Sequence, residues 1–515
     1  MSLKRNVVAN YFGQGWQALM SLAFVPLYIK YLGIEAYGLI GIFAILQAWL
    51  VLLDMGMKPA LGREMARFTG GAHSAQSIRD LLRSIELIGI AVATTIALSI
   101  WAASGWLATH WVTAKHMSPQ VVAHAFAVMG MVTALRFLQN IYVSSSIGLQ
   151  RQVQQNIVIV ITSTMSGLGA VALLAWVSPT IGAFFLWQGM ISVISVVLLA
   201  GIVYRALPSA SRPARFSGPA LMNIWRFAVG LMVINLLATL LTQMDKILLS
   251  RLLTLEAFGY YVLAGVVTNG LLMMTYPIAT ALYPRFTELV TKGDEGTLRS
   301  VYHQGAQWVT VLLGSAAMVL VMFGYRVLRL WTGNPLLAQK VAPLMAVLAL
   351  GTLFNGLMCI PYQMQLANGW TSLTVKVNIV AVSLLVPAIL LSVPVYGAIG
   401  AAWVWVAYNT GLLLFEIPLM HRRLLPAEMW RWYGQDVAVP LAAATAAAFL
   451  CRWVMPHDLG KLGEFSILLI TSMCILIAAT TAAPMVRHQL TRNMFWHRPA
   501  LQPALPEPDS THKFC

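Results

Sequence analysis

A chain of 515 residues in which 59% are hydrophobic and only 10% charged is not built like a soluble protein, where about a quarter of residues carry charge. Its net charge of +16 is scattered between apolar runs, with no basic patch interleaved with aromatics, which argues against nucleic acid as a partner. The cysteines (Cys359, Cys451, Cys474 and Cys515) are widely separated and lack ligand-like spacing, so they predict neither a disulfide framework nor a metal site.

Apolar runs of about 18 residues or more, the length that spans a bilayer core about 30 Å thick, recur throughout. They predict an all-α integral membrane protein with about 14 transmembrane helices. The first run, 8–30, follows Lys4 and Arg5 as a secretory signal would, but it is long and has no clear small-residue cleavage site, so a retained span is expected. Further spans are expected at 38–57, 85–107, 121–146, 156–177 and 181–204, then at 224–250, 258–283, 303–324, 339–362, 373–393 and 397–420, and finally at 437–454 and 464–485.

With the N-terminus inside, Lys and Arg divide 23 to 8 in favour of the cytoplasmic loops. This bias sets the orientation and places both termini in the cytoplasm.

The phrase Lys30-Tyr31-Leu32-Gly33-Ile34-Glu35-Ala36-Tyr37-Gly38 returns as Arg251-Leu252-Leu253-Thr254-Leu255-Glu256-Ala257-Phe258-Gly259. Two further pairs match each other at nearly the same offset, 153–158 with 375–380 and Ala60 to Arg63 with Ala281 to Arg285. Internal repeats in an apolar chain mark a secondary transporter built from two lobes. Six spans per unit return the chain to the same side, so the lobes are parallel and related by an axis along the membrane normal.

The expected organisation is a six-helix lobe (1–205), a cytoplasmic linker (206–223), a second six-helix lobe (224–420), two additional transmembrane helices (421–486) and a cytoplasmic tail (487–515). The linker, with its prolines and serines, is expected to be flexible. Glu35 and Glu256 read as loop residues whose neighbours Gly38 and Gly259 fix a turn. Asn156 and Asn378 read first as helix N-caps and second as cavity-lining residues.

No phosphate loop, H-E-x-x-H pattern or Cys/His metal spacing is present, so no catalytic residue, cofactor or metal is predicted, and the chain does not read as an enzyme. The informative residues are ionisable groups at membrane depth. Arg136 stands in the fourth span with no evident local acid. Arg63, Arg151 and Arg285 stand at cytoplasmic helix ends, and Lys246 lies near the outer end of the seventh span. These five are the candidate substrate-binding residues for an anionic headgroup, since Arg suits phosphate. Asp54, Asp245 and Glu416 are the candidates for ion coupling or for structural ion pairs. A topological role for Arg63 and Arg285, and a local pair between Asp245 and Lys246, stay open.

The segments Pro26-x4-Tyr31-Leu32-Gly33-x3-Tyr37-Gly38, Leu53-Asp54-Met55-Gly56 with Arg63, Gly148-Leu149-Gln150-Arg151 before Asn156, and Asp245 to Ser250 before Gly259-x-Tyr261 carry a family likeness. Over about residues 5–420 the chain resembles the Wzx-type O-antigen and polysaccharide flippases of the multidrug/oligosaccharidyl-lipid/polysaccharide exporter superfamily.

The resemblance implies a V-shaped two-lobe fold in the bacterial inner membrane. It also implies that an undecaprenyl-pyrophosphate-linked oligosaccharide passes from the inner to the outer leaflet by alternating access. Membrane lipids, a polysaccharide polymerase and a chain-length regulator are the partners it implies. The alternatives are a cation-coupled multidrug exporter of the same superfamily, which would carry an acid in its first span, and a membrane-embedded glycan polymerase or ligase, which would carry a large outer loop.

Overall fold

The structure is a computed structural model and describes residues 3–53, 57–209, 212–218, 221–222, 239–240, 243–370, 372–456 and 460–495. Every regular element among them is helical. The order is α1 (Leu3–Ala23), α2 (Val25–Leu32), α3 (Ile34–Leu53), α4 (Met57–Thr69), α5 (Ala75–Trp106) running into a π-helical turn (Leu107–Trp111), α6 (Pro119–Gly148), α7 (Gln152–Trp176) and α8 (Ile181–Ala206). Then follow α9 (243–252), α10 (Leu255–Met273), α11 (Tyr276–Lys292), α12 (Glu295–Thr332), α13 (Pro335–Leu357), α14 (Cys359–Ala367), α15 (Ser372–Tyr396) and α16 (Ala398–Leu424). The chain continues with α17 (Met429–Arg431), a second π-helical segment (Trp432–Ala438), α18 (Val439–Val454), α19 (Lys461–Ala482) and α20 (Pro484–Phe495).

Eleven stretches among the described residues are long and apolar enough to cross a membrane, and they match eleven of the fourteen expected spans. Of the other three, the expected first span is divided into α1 and α2 at Phe24, just before Pro26, which has no N–H to continue the helix ladder. The second falls in α3, a shorter apolar helix over Ile34–Leu50. The seventh, 224–250, lies largely outside the described residues.

Helix starts are set by short polar caps: Ser74, Ser118, Thr180, Thr254, Asp294 and Asn334 each accept a backbone N–H three residues on. Asn156 is not among them. It is the fifth residue of α7, and its amide donates to Asn10 Oδ1 in α1 at 2.7 Å, which corrects the N-cap reading. Asn378 likewise lies within α15, past its first turn.

The helices sort into two groups. In the first, α1 packs on α7, and α3, α4, α5 and α8 pack on α6. In the second, α10, α13, α14, α18 and α19 gather about α12, with α15 and α16 beside α13 and α14. The main contact between the groups is α3 against α10, with α2 touching α12. The groups therefore join at the end that carries the repeated phrases. Toward the other end of the first group, Ala60, Leu61, Met65, Ile78, Leu82 and their neighbours form a hydrophobic core of their own, separate from the core the two groups share. Among the described residues, two helix groups joined at one end and with a separate core toward the other make the V-shaped arrangement.

At the join, the repeated phrases meet each other. A side chain at Gly38 would collide with the Leu255 carbonyl, and one at Gly259 with the Ile34 carbonyl. Ile34 and Leu255 are equivalent positions of the repeat, so the contact is reciprocal, as a two-fold relation requires. This replaces the turn reading. Gly38 and Gly259 are helical residues that let α3 and α10 approach closely, and Glu35 and Glu256 stand in the first turns of those helices.

The segment after α8 is held along α5 and does not hang free. Arg79 donates to the Pro208 carbonyl at 2.8 Å, Arg212 pairs with Asp80 at 3.1 Å, and Asp80 and Ser84 accept the backbone N–H groups of Arg215 and Ser217, each at 2.8 Å. Residues 207–209 and 212–217 of the expected linker are thus strapped to α5 through Arg79, Asp80 and Ser84.

Candidate functional site

The interior of the first group is polar at mid-depth. Arg136, near the middle of α6, lays its guanidinium over the Phe43 ring of α3, 4.9 Å from the centroid. It also donates to Gln188 Oε1 of α8 at 3.3 Å. The same oxygen accepts the Ser166 hydroxyl of α7 at 2.8 Å, and Gln47 donates to Thr133 at 3.0 Å one turn away. No carboxylate among the described residues comes within ion-pair distance of Arg136. Held among the described residues by a π face and an amide oxygen, the guanidinium is fixed without a neutralising carboxylate.

Arg63 and Arg151 lie toward the far end of α6 from the join. Gly62 of α4 packs on Ser144 and Gly148, and Arg151 follows Gly148 at the N-cap of α7. Arg136 stands eight residues before Ser144, about 12 Å deeper along the helix. Arg63 and Arg151 thus stand near one end of α6 and Arg136 deeper along it.

Arg285 does not join it. It is exposed in α11 and pairs with Glu288 at 2.7 Å, which also holds Lys292 at 2.5 Å. Lys246 donates to Gln243 at 3.2 Å, while Asp245 accepts the Tyr261 hydroxyl at 3.0 Å, so these neighbours in sequence are turned to different partners. Asp54 lies outside the described residues. Glu416 is buried in α16 and accepts from Gln365 at 2.9 Å, with Thr374 at 3.4 Å. It has no cation beside it among the described ion pairs, so it is not half of a structural salt bridge there.

Sequence reasoning missed several buried polar groups. Glu86 accepts the hydroxyls of Tyr142 at 2.9 Å and Tyr204 at 2.7 Å. His303, at the start of an expected span, is wholly buried in α12, with Asp436 on Nδ1 and Glu428 on Nε2 at 3.0 Å. The available signal was an acid or imidazole inside an apolar run. Both stand near the ends of their expected spans, where solvation is the ordinary reading.

An all-helical, multi-pass membrane fold with two helix groups joined at one end and a basic interior defines a membrane transporter class. The family described as "Polysaccharide biosynthesis protein" matches residues 3–290, more than half of the chain, and the protein belongs to that family. A Shigella flexneri protein provisionally named an O-antigen transporter is 20% identical over 405 residues, covering 79% of this chain and 94% of that protein.

Among solved structures, "Lipid II flippase MurJ, inward closed conformation" superposes with a TM-score of 0.68 at 11% identity, covering 95% of this chain and 99% of that one. An inward-facing multidrug resistance MATE family transporter of the MOP superfamily gives a TM-score of 0.59 at 11% identity, covering 92% and 95%. These likenesses show a shared fold.

Proposed function

We propose that the protein is a flippase that carries an undecaprenyl-pyrophosphate-linked oligosaccharide, an O-antigen or exopolysaccharide repeat unit, from the inner to the outer leaflet of the bacterial inner membrane. The family match, the Shigella relative and the fold it shares with a lipid II flippase all support a lipid-linked glycan. The observation that carries the reading is Arg136, a guanidinium at membrane depth with no acid beside it among the described residues. Both termini are cytoplasmic in this reading, so the end that carries the repeated phrases faces outward and the two lobes diverge toward the cytoplasm. Arg63 and Arg151 stand at the inner mouth and attract the pyrophosphate, and Arg136 receives it. The glycan occupies the polar interior while the lipid tail stays in the bilayer. A polymerase and a chain-length regulator would act on the product outside.

The energetics suit this direction. One charge moved through 100 mV is worth about 2.3 kcal/mol, so a doubly anionic headgroup leaving a negative interior gains about 5 kcal/mol.

Deletion followed by analysis of surface polysaccharide and lipid-linked intermediates tests the reading: the intermediates should accumulate and surface glycan should fall. Normal glycan with altered dye resistance would instead support a drug exporter. Within that assay Arg136→Ala should abolish export at normal abundance, and Arg136→Lys should restore part of it.

A further inference from the structure

The outer ends of the two lobes are joined by more than the glycine contact. The π-helical turn Leu107–Trp111 ends α5 early and directs the following loop across to the second lobe. There the Trp111 indole donates to the Ser250 hydroxyl at 3.1 Å, and the Leu255 N–H donates to the Thr113 carbonyl at 2.9 Å, forming an isolated bridge between Thr113 and Thr254. Glu35, buried in the first turn of α3, holds the loop in this position. Its carboxylate accepts the backbone N–H groups of Lys115 and of His116, the latter at 3.0 Å.

The arrangement is one-sided. The equivalent Glu256 turns to Tyr260 at 2.6 Å and Lys340 at 3.2 Å, and the corresponding connection in the second lobe is only Gly333 and Asn334, too short to reach back. A close glycine contact resists sliding but closes no hydrogen bond. The loop supplies the directional bonds that define a shut state.

We infer that the α5–α6 loop, from Trp111 to His116, is the latch of the outer gate: it bonds to residues 250–255 when the transporter faces inward and releases them each time it opens outward, with Glu35 as the positioning residue that keeps the loop ready to close. The inference rests on the alternating-access reading above.

The test is a Thr113→Cys/Thr254→Cys pair in the full-length protein, with each single variant as a control. Bridged main chains stand about 5 Å apart, within reach of a disulfide. With oxidant added to cells, the pair should cross-link and glycan export should stop, and reductant should restore it. Added Glu35→Gln or Gly38→Ala, at unchanged abundance, should slow cross-linking at least fivefold, because each loosens the shut state. Absence of a cross-link, continued export by fully cross-linked protein, or cross-linking at the original rate in both added variants would overturn the latch. If deletion strains show normal glycan, the flippase reading fails, and the cross-linking rates still decide the latch because they do not depend on the cargo.

Discussion

The Arg136 guanidinium donates to the amide oxygen of Gln188 at 3.3 Å, and that oxygen is held in turn by Ser166. An amide fixes the direction of the arginine without cancelling its charge. Gln188→Leu should lower glycan export about tenfold or more, the worth of a hydrogen bond to a charged group, with protein abundance unchanged. Gln188→Glu should be worse, because a carboxylate would pair with Arg136 and compete with the headgroup. Export in the Glu variant equal to or above that of the Leu variant would remove Gln188 and Arg136 from the site.

Most of the fold was legible because bilayer thickness imposes its length on every span. All eleven membrane-crossing stretches overlap an expected one. The repeat was legible too, and the reciprocal placing of Gly38 and Gly259 is its direct consequence. What the sequence left open was tertiary. That Gly38 serves a neighbouring helix and not a turn depends on Leu255, more than two hundred residues away. Arg136 was legible as a charge in an apolar run, whereas Gln188 and Phe43, which aim it, lie on other helices and carry no local mark. Arg285 looked equivalent to Arg63 by repeat position, yet Glu288 one turn on engages it.

Glu64, in α4 outside the eleven spanning stretches, offers a pH signature. Burial raises its carboxyl pKa, but hydrogen bonds from His73 at 2.7 Å and Arg67 at 3.0 Å outweigh it and hold the group below its ordinary 4.5. A depressed folded pKa contributes stability that is complete above the unfolded value and is lost as pH falls through the folded one. Glu64→Gln should therefore melt lower than the parent at about pH 7, and the gap should close as pH falls through the depressed folded pKa. A gap independent of pH would show that the carboxylate's charge contributes nothing there.

Glu416 is a buried carboxylate whose bonds among the described residues come from Gln365 and Thr374. A charge so placed is costly without a cation, which marks it for ion coupling more than for structure. Glu416→Gln keeps the shape and an acceptor oxygen for the Gln365 amide, so purified protein should melt within about 1 kcal/mol of the parent, while transport in cells falls. Full transport in that variant would leave Glu416 as a neutral packing partner only.

His303 ties the two additional helices to the second lobe. It contacts Asp436 and Glu428 through its two ring nitrogens, Gln307 donates to Asp436 at 2.8 Å, and the Met485 N–H at the start of α20 donates to Gln307 at 2.9 Å. Removing the imidazole leaves two carboxylates without their shared donor, one of them wholly buried, at a cost of about 3–5 kcal/mol. His303→Leu should therefore lower the melting temperature and the abundance of the protein. Replacing both partners removes the orphaned charge, so His303→Leu with Asp436→Leu should regain part of the loss. Strict additivity of the two substitutions, measured by thermal unfolding of purified protein, would show that the pair does not act as a unit and that packing alone holds α18 and α19 in place.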